Sequence, residues 1–510
     1  MDFFMKLLIK NAFVVDGSGL PGNDDDVLIE HGIIIAVGKN LPESAADNFF
    51  DAGGQVLTPG FIDAHSHSDM SILAAPEATG KISQGITTEI VGNCGLSVFP
   101  ISSHNREHLE ELYRNYNEKI TWENFDGYLT ELRRRKPTVN IFSLCGHNTL
   151  RAALGGYENQ KLSASKLSKM QRLLTETFQM GAVGLSSGLL YVPGKFSTND
   201  ELIALLKTVA AKNHVYATHL RSEGQRLTES LEETFDLAIS AGLKKVHISH
   251  LKTSGRNNWY KLPTVFSLFE QAKTDGLTVT ADRYPYTESM TQLSVILPAP
   301  YDAFDDIALE KFLSTPEHFK QITAALAELP TERWQTVRLV STKTSGMEKF
   351  NGEIFCDIAV QLNTTAPELC AKILAEDAAG AMAAFLGMSE ENMKRIIKAP
   401  FTACGTDESA RPVDYSIGRS HPRGFGSFPR FINFLLRENL ALEEIIHKIT
   451  LLPAQIFGLN SRGLIAPGYA ADLALFNLDK LSDCSTFASP HVPASGISAV
   501  WVNGRLILQQ

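Results

Sequence analysis

Two histidines stand one residue apart in "GFIDAHSHSD", the stretch from Gly60 to Asp69, directly after an apolar run and a Pro-Gly turn. In a strand, two-residue spacing puts His65 and His67 on the same face, as chelation of a metal requires. Ordinary strand alternation landing twice on histidine gives the same pattern. Four further strand-like runs end on reactive groups: "TTEIVGNCG" on Cys94, "HVYATHLR" on His219, "KVHISHLK" on His250 and Lys252, and "FTACGTDES" on Asp407. Each has a plain structural account: a hydrogen-bonded histidine at a strand end, a small buried thiol at Cys94, a helix N-cap at Asp407. Six imidazole, thiol and carboxylate groups arriving at the ends of successive strands predict instead a shared metal site. Imidazole and thiolate suit zinc, whereas magnesium and calcium take mostly oxygen. A catalytic zinc keeps one position open for a water and lowers its pKa to about 7. Asp407 is then placed to take that water's proton and pass it to a leaving group.

The elements that must carry these groups form a regular series. "GFIDAHSHSD", "TTEIVGNCG", "VNIFSLCGHN", "AVGLSSGL", "HVYATHLR", "KVHISHLK", "LTVTADRYPY" and "FTACGTDES" are eight short apolar runs, and helical patterns follow them. In the helix expected from Leu227 to Ile239, Leu227, Leu231, Phe235 and Ala238 share one face, and Gly242 supplies the stop. Eight β-α alternations predict an α/β chain folded as a (β/α)8 TIM barrel, whose active site collects at the C-terminal strand ends. Those are the ends on which the six groups lie.

The two ends of the chain differ from this middle. "KLLIKNAFVVDGSG", "DVLIEHGIIIAVGKN", "GLIAPGYAADLALFNL" and "AVWVNGRLIL" read as short strands separated by turns, with Asn503-Gly504 as a two-residue hairpin turn. They predict a small β-sandwich domain built from both termini, residues 1–58 plus 455–510, around a barrel at 59–454. The run from Tyr286 to Phe401 is too long for one loop and helix. Helical patterns at 309–328 and 366–397 suggest an inserted subdomain at about 290–395, after barrel strand seven. It reads either as a lid over the barrel mouth or as a peripheral decoration.

With 47 Lys+Arg against 57 Asp+Glu, the net charge of the 510 residues is −10. The charges are evenly spread, with no basic stripe for nucleic acid or an anionic membrane. No stretch approaches 18 uninterrupted apolar residues, and the start "MDFFMKLLIK" is broken by Asp2, Lys6 and Lys10, so strands are expected there rather than a signal peptide or a membrane span. Six cysteines without a CxxC pair fit a reducing compartment, with the cytoplasm as the expected location.

Paired histidines on strand one, single histidines on strands five and six and Asp407 on strand eight resemble the amidohydrolase superfamily, as does the terminal β-sandwich. Many members carry a carboxylated lysine at the tip of strand four. Here "AVGLSSGLLYVPG" has none, Lys195 lies several residues beyond, and Cys94 is offered instead. Together with "THLRSEG", "ISHLK", "DRYPYT" and "SHPRGFGSFPR", this is similar to the N-acyl-D-amino-acid deacylases (D-aminoacylases) over essentially the whole chain, with a longer insertion. The resemblance implies one tight zinc held by Cys94, His219 and His250, and a weaker second position formed by His65, His67 and Asp407 with Cys94 bridging. It implies Asp407 as general base and acid. It implies Arg423 as the grip on the substrate carboxylate, helped by Lys252, Tyr284 and Ser289. A planar guanidinium holds a carboxylate through two parallel hydrogen bonds; the plain alternative for Arg423 is a solvated loop charge. Tyr191 lines the pocket or packs beneath the loop. The implied reaction is zinc-dependent hydrolysis of an N-acyl-D-amino acid, a small-molecule substrate, to a carboxylate and a free D-amino acid. A cyclic amidase (hydantoinase or dihydroorotase-like) is the alternative on the same scaffold, and a non-catalytic scaffold barrel the alternative outside enzymes.

Overall fold

The computed structural model describes residues 6–510, so the apolar start at residues 1–5 lies outside the described residues. Eight barrel strands follow the predicted runs. They are Phe61–Asp63, Ile86–Val91, Asn140–Ser143 continued by Cys145–Gly146, Gly184–Gly188, Val215–His219, Lys245–Ile248, Thr278–Asp282 and Thr402–Ala403, numbered one to eight. Every neighbouring pair is parallel. Strand three is interrupted at Leu144, whose N–H still reaches the Val91 carbonyl at 2.9 Å. The ring closes between strands eight and one through Ala64 N–H to Cys404 O (3.1 Å) and Asp407 N–H to His65 O (2.8 Å). These strands are short and buried on both faces, as expected of a parallel sheet wrapped in helices.

The helices follow their apolar faces. Leu227–Ser240 buries Leu227, Leu231, Phe235 and Ala238. It ends where Gly242, at φ +70°, turns the chain so that Leu243 N–H meets Ala238 O at 2.9 Å. Among the described residues no helix is long and apolar enough to cross a membrane.

Strands from both termini pair into one eight-stranded sheet, residues 7–59 contributing five strands and residues 473–509 three. It curls around its own core of Ile9, Leu57, Leu475 and Trp501. Phe50 and Trp501, on strands not bonded to each other, therefore meet edge-on at 5.0 Å. Asn503 and Gly504 take φ of +50° and +76°, and their hairpin joins Ile497–Val502 to Arg505–Gln509.

The segment after strand seven has a separate core, including Leu293, Ile322, Trp334, Phe355 and Leu374. The helical pattern at 309–328 resolves into two helices, Asp306–Leu313 and Pro316–Ala327, because Thr315 caps a new helix that starts on proline. The pattern at 366–397 contains a helix, Ala366–Asp377, then a strand, Met382–Leu386, then a second helix, Glu390–Lys398. "MAAFL" is rich in helix formers, yet it is the central strand of an antiparallel sheet, between Glu288–Gln292 and Val337–Ser341. Pairing on both edges overrides its local preference.

Candidate metal centre

Three of the six predicted groups sit on residues with left-handed backbone: Cys94 at φ +52°, His250 at +35° and Asp407 at +51°. Non-glycine residues rarely adopt this region, and they keep it where the surroundings over-determine it. Beside Cys94, a Cβ on Gly95 would lie 2.2 Å from Asn148 Oδ1, so only glycine lets the thiol's loop close against strand four. Beneath Asp407 the fully buried Lys81 ammonium is shared by Asp63 (2.7 Å), Glu89 (3.1 Å), the Thr406 hydroxyl (2.8 Å) and the Glu408 carbonyl (2.8 Å). The last two residues flank Asp407 and fix its turn. No helix begins at Asp407; the next starts at Arg423, so the capping alternative does not apply.

The six side chains converge as two groups that share one atom. Ligand atoms of His65, His67, Cys94 and Asp407 lie within 4.8 Å of one another, as do those of Cys94, His219 and His250. Cys94 Sγ is 3.4 Å from both His65 Nε2 and His250 Nε2. Asp407 Oδ1 is 3.2 Å from His67 Nε2 and 3.5 Å from His65 Nε2. His219 is buried with neither ring nitrogen hydrogen-bonded to protein, an arrangement that would be costly without a ligand for it. The donor set of one thiol, four imidazoles and one carboxylate fits zinc. Burial raises the Cys94 thiol, but His65 and His250 outweigh it and hold the group well below the ordinary thiol range. Burial likewise opposes ionisation of Asp407, and Arg423, His250 and His67 reverse it, leaving a carboxylate. Thiolate and carboxylate are the forms that bind metal.

The predicted substrate residues gather on the same rim. Arg423 is not a solvated loop charge: it is 1% exposed at the start of the helix Arg423–Arg437. One guanidinium nitrogen stands 2.9 Å from Asp407 Oδ2, another donates to the Met290 carbonyl at 3.3 Å, and the group stacks 4.5 Å over the Tyr284 ring. The Tyr284 hydroxyl and Arg423 Nε are buried without a hydrogen-bond partner. Tyr191 sets its ring edge-on to His219 at 4.9 Å, and its hydroxyl lies 3.1 Å from Thr291 Oγ1 on the insertion's first strand. Ser289 is on that strand too, next to Met290. Lys252 Nζ lies 2.7 Å from His250 Nδ1.

Two carboxylates escaped the sequence reading. Asp282, at the tip of strand seven, contacts His65 Nδ1 (3.1 Å) and His247 Nε2 (3.0 Å) and accepts the His250 backbone N–H (3.0 Å). Its signal was present, since it is the first residue of "DRYPYT". Glu223, in the loop after strand five, reaches His250 Nδ1 at 2.8 Å and Lys252 Nζ at 2.5 Å. Its signal was present too, since it is the acid of "THLRSEG", four residues after His219. Metal-binding histidines generally pair their far nitrogen with such a carboxylate.

The amidohydrolase family pattern matches residues 48–315 and 354–508, breaking off inside the insertion. The N-acyl-D-glutamate deacylase of Alcaligenes xylosoxydans xylosoxydans is 32% identical, over 99% of this chain and 94% of that one. The D-aminoacylase of the same organism is 31% identical, over 99% and 94%. Among solved structures, the N-acyl-D-glutamate deacylase from Bordetella bronchiseptica, complexed with zinc and a phosphonate mimic of the tetrahedral intermediate, aligns at a TM-score of 0.82 and 29% identity, covering 99% of this chain and 97% of that one. A D-aminoacylase aligns at 0.81 and 30% identity, covering 99% and 96%. An L-hydantoinase from Arthrobacter aurescens, at 16% identity and a TM-score of 0.55 with 99% and 96% covered, shares the fold.

Proposed function

Because this chain belongs to the amidohydrolase family, and within it to the N-acyl-D-amino-acid deacylases, we propose that it hydrolyses, with zinc, the acyl amide bond of N-acyl-D-amino acids, releasing a carboxylate and a free D-amino acid. The observation that carries this reading is the convergence of Cys94, His219 and His250 on one point, with Cys94 shared by a second group. The chemistry that zinc supplies when bound is polarisation of the acyl carbonyl and a water acidic enough to ionise near neutrality.

We assign the tight zinc to Cys94, His219 and His250, and a weaker second position to His65, His67 and Asp407 with Cys94 bridging. The unpartnered nitrogens of His219 and the hold of Arg423 on Asp407 support that order. Asp407 accepts the proton of the attacking water and returns it to the leaving nitrogen. Arg423 orients the substrate carboxylate through its fork of N–H donors, with Lys252, Tyr284 and Ser289 alongside; the unpartnered Tyr284 hydroxyl and Arg423 Nε support a carboxylate there. Tyr191 forms part of the wall. Selection of the D hand rests on the family relation. The separate cores of the barrel, the terminal sheet and the insertion support division at 59–454, 1–58 plus 455–510, and about 290–395. All six cysteines are free, which supports a reducing, cytoplasmic location.

The test is a panel of N-acetyl-D-amino acids on the zinc-loaded protein, with L enantiomers, hydantoin and dihydroorotate as controls. Turnover confined to D substrates is expected. Hydrolysis of a cyclic amide with none of the D panel would overturn the reading in favour of a cyclic amidase.

A further inference from the structure

The deacylase reading leaves one half-buried carboxylate beside the site, Glu223, without a task in the reaction. Glu223 belongs to neither group of converging ligand atoms, so it is a neighbour of ligands rather than a ligand. One of its oxygens, Oε1, meets both His250 Nδ1 (2.8 Å) and Lys252 Nζ (2.5 Å), and those two nitrogens are themselves 2.7 Å apart. Its other oxygen is 3.8 Å from His219 Nε2.

This triangle poses a choice for the His250 ring. An ammonium only donates and a carboxylate only accepts, while a neutral imidazole carries its proton on one nitrogen or the other. If Lys252 donates to Nδ1, the ring proton is forced onto Nε2, the nitrogen that faces Cys94 Sγ at 3.4 Å. His250 is then unable to offer Nε2 to a metal. If Nδ1 carries the proton and donates it to Glu223, Nε2 is free as a ligand. His250 is buried with Nε2 toward Cys94 Sγ and its backbone N–H on the Asp282 carboxylate, so in this orientation the partner of Nδ1 decides the tautomer.

We propose that Glu223 is a positioning residue that takes up the hydrogen bonds of both His250 Nδ1 and Lys252, and so keeps His250 in the tautomer that binds zinc. It allows a lysine for the substrate carboxylate to sit directly beside a metal ligand without disabling it. The proposal rests on the assignment of His250 to the tight zinc position.

The test reads metal affinity rather than turnover. Zinc is titrated into the metal-free full-length protein against a chelator of known affinity, for wild type, Glu223→Leu, Lys252→Met and the double variant, with far-UV circular dichroism as the check on folding. Glu223→Leu is expected to bind zinc about tenfold to a hundredfold more weakly, the usual effect of losing such a partner. Lys252→Met should bind as wild type does. The double variant should recover at least about tenfold over Glu223→Leu, because the donor that enforces the wrong tautomer has gone with its competitor; a residue that merely filled space would show no such rescue. If Glu223→Leu does not fold, Glu223→Ala, which likewise removes the acceptor, takes its place in the same cycle, with the same order expected. Wild-type affinity in the Glu223 single variant, or a double variant no tighter than that single, overturns the proposal. A wild type without a tight zinc would overturn the underlying assignment instead, so the two failures are distinguishable.

Discussion

Replacing Arg423 by Met removes the guanidinium while keeping an unbranched chain in the same buried space. A carboxylate held by a guanidinium fork receives two charge-assisted hydrogen bonds, each contributing about 1.5–3 kcal/mol. Their joint loss is roughly 3–6 kcal/mol, which at 1.36 kcal/mol per tenfold is a fall in kcat/KM of about 10²–10⁴ for an N-acetyl-D-amino acid. The matching carboxamide has a single neutral acceptor for the fork, so it should lose only about tenfold to a hundredfold. The variant also leaves Asp407 without the cation 2.9 Å from its Oδ2, although His67 still stands 3.2 Å from Oδ1. That change affects both substrates alike, and the ratio between them isolates the grip on the carboxylate. The assay is kcat/KM for one acid and its carboxamide, on zinc-loaded protein of verified fold. Equal losses on the two substrates would refute the reasoning, because Arg423 would then act on the reaction without reading the carboxylate.

Three other outcomes are expected. Asp407→Asn should retain tight zinc, seen by elemental analysis, and lose about 10²–10⁴ in kcat as the proton carrier goes; near-normal turnover would remove Asp407 from the mechanism. His219→Ala should lower bound zinc more than the joint loss of His65 and His67, again by metal content, and the reverse order would exchange the two positions. Lys448 is buried against the Ala399 carbonyl, and burial, partly offset by Glu444, lowers its pKa from 10.5 to about 8. Between those values the unfolded chain holds a proton that the folded chain has released, so this group makes stability rise as pH increases from 8 to 10.5. Below that window the folded state bears a cost of about 3 kcal/mol; Lys448→Met should flatten the rise and raise the urea midpoint near neutral pH.

The barrel and its six reactive groups were legible because parallel strands are nearly continuous apolar runs and their C-terminal ends share one rim. Cys94, His219, His250 and Asp407 each follow such a run directly. Glu223 stands in "THLRSEG", but its contact was not legible: it lies on an irregular loop after strand five and meets His250 Nδ1, beyond strand six where the backbone turns left-handed. Sequence spacing carries no record of a contact made by a backbone reversal. The strand Met382–Leu386 was hidden for a different reason. Its residues favour helix in isolation, and the two edges that claim it come from segments some 45 and 90 residues earlier in the chain. Asp282 opens the motif "DRYPYT", but its task needs His65, His247 and the His250 N–H, which only the closed ring brings together.

The tie between Arg423 and the insertion runs to the carbonyl of Met290, not to its side chain. A main-chain oxygen is present whatever residue occupies the position. The insertion can therefore change its side chain at 290 while the arginine keeps its brace. The strand Glu288–Gln292 lies within the part of the insertion that the family pattern still matches, which ends at residue 315, so the brace belongs to the shared framework and the break falls beyond it.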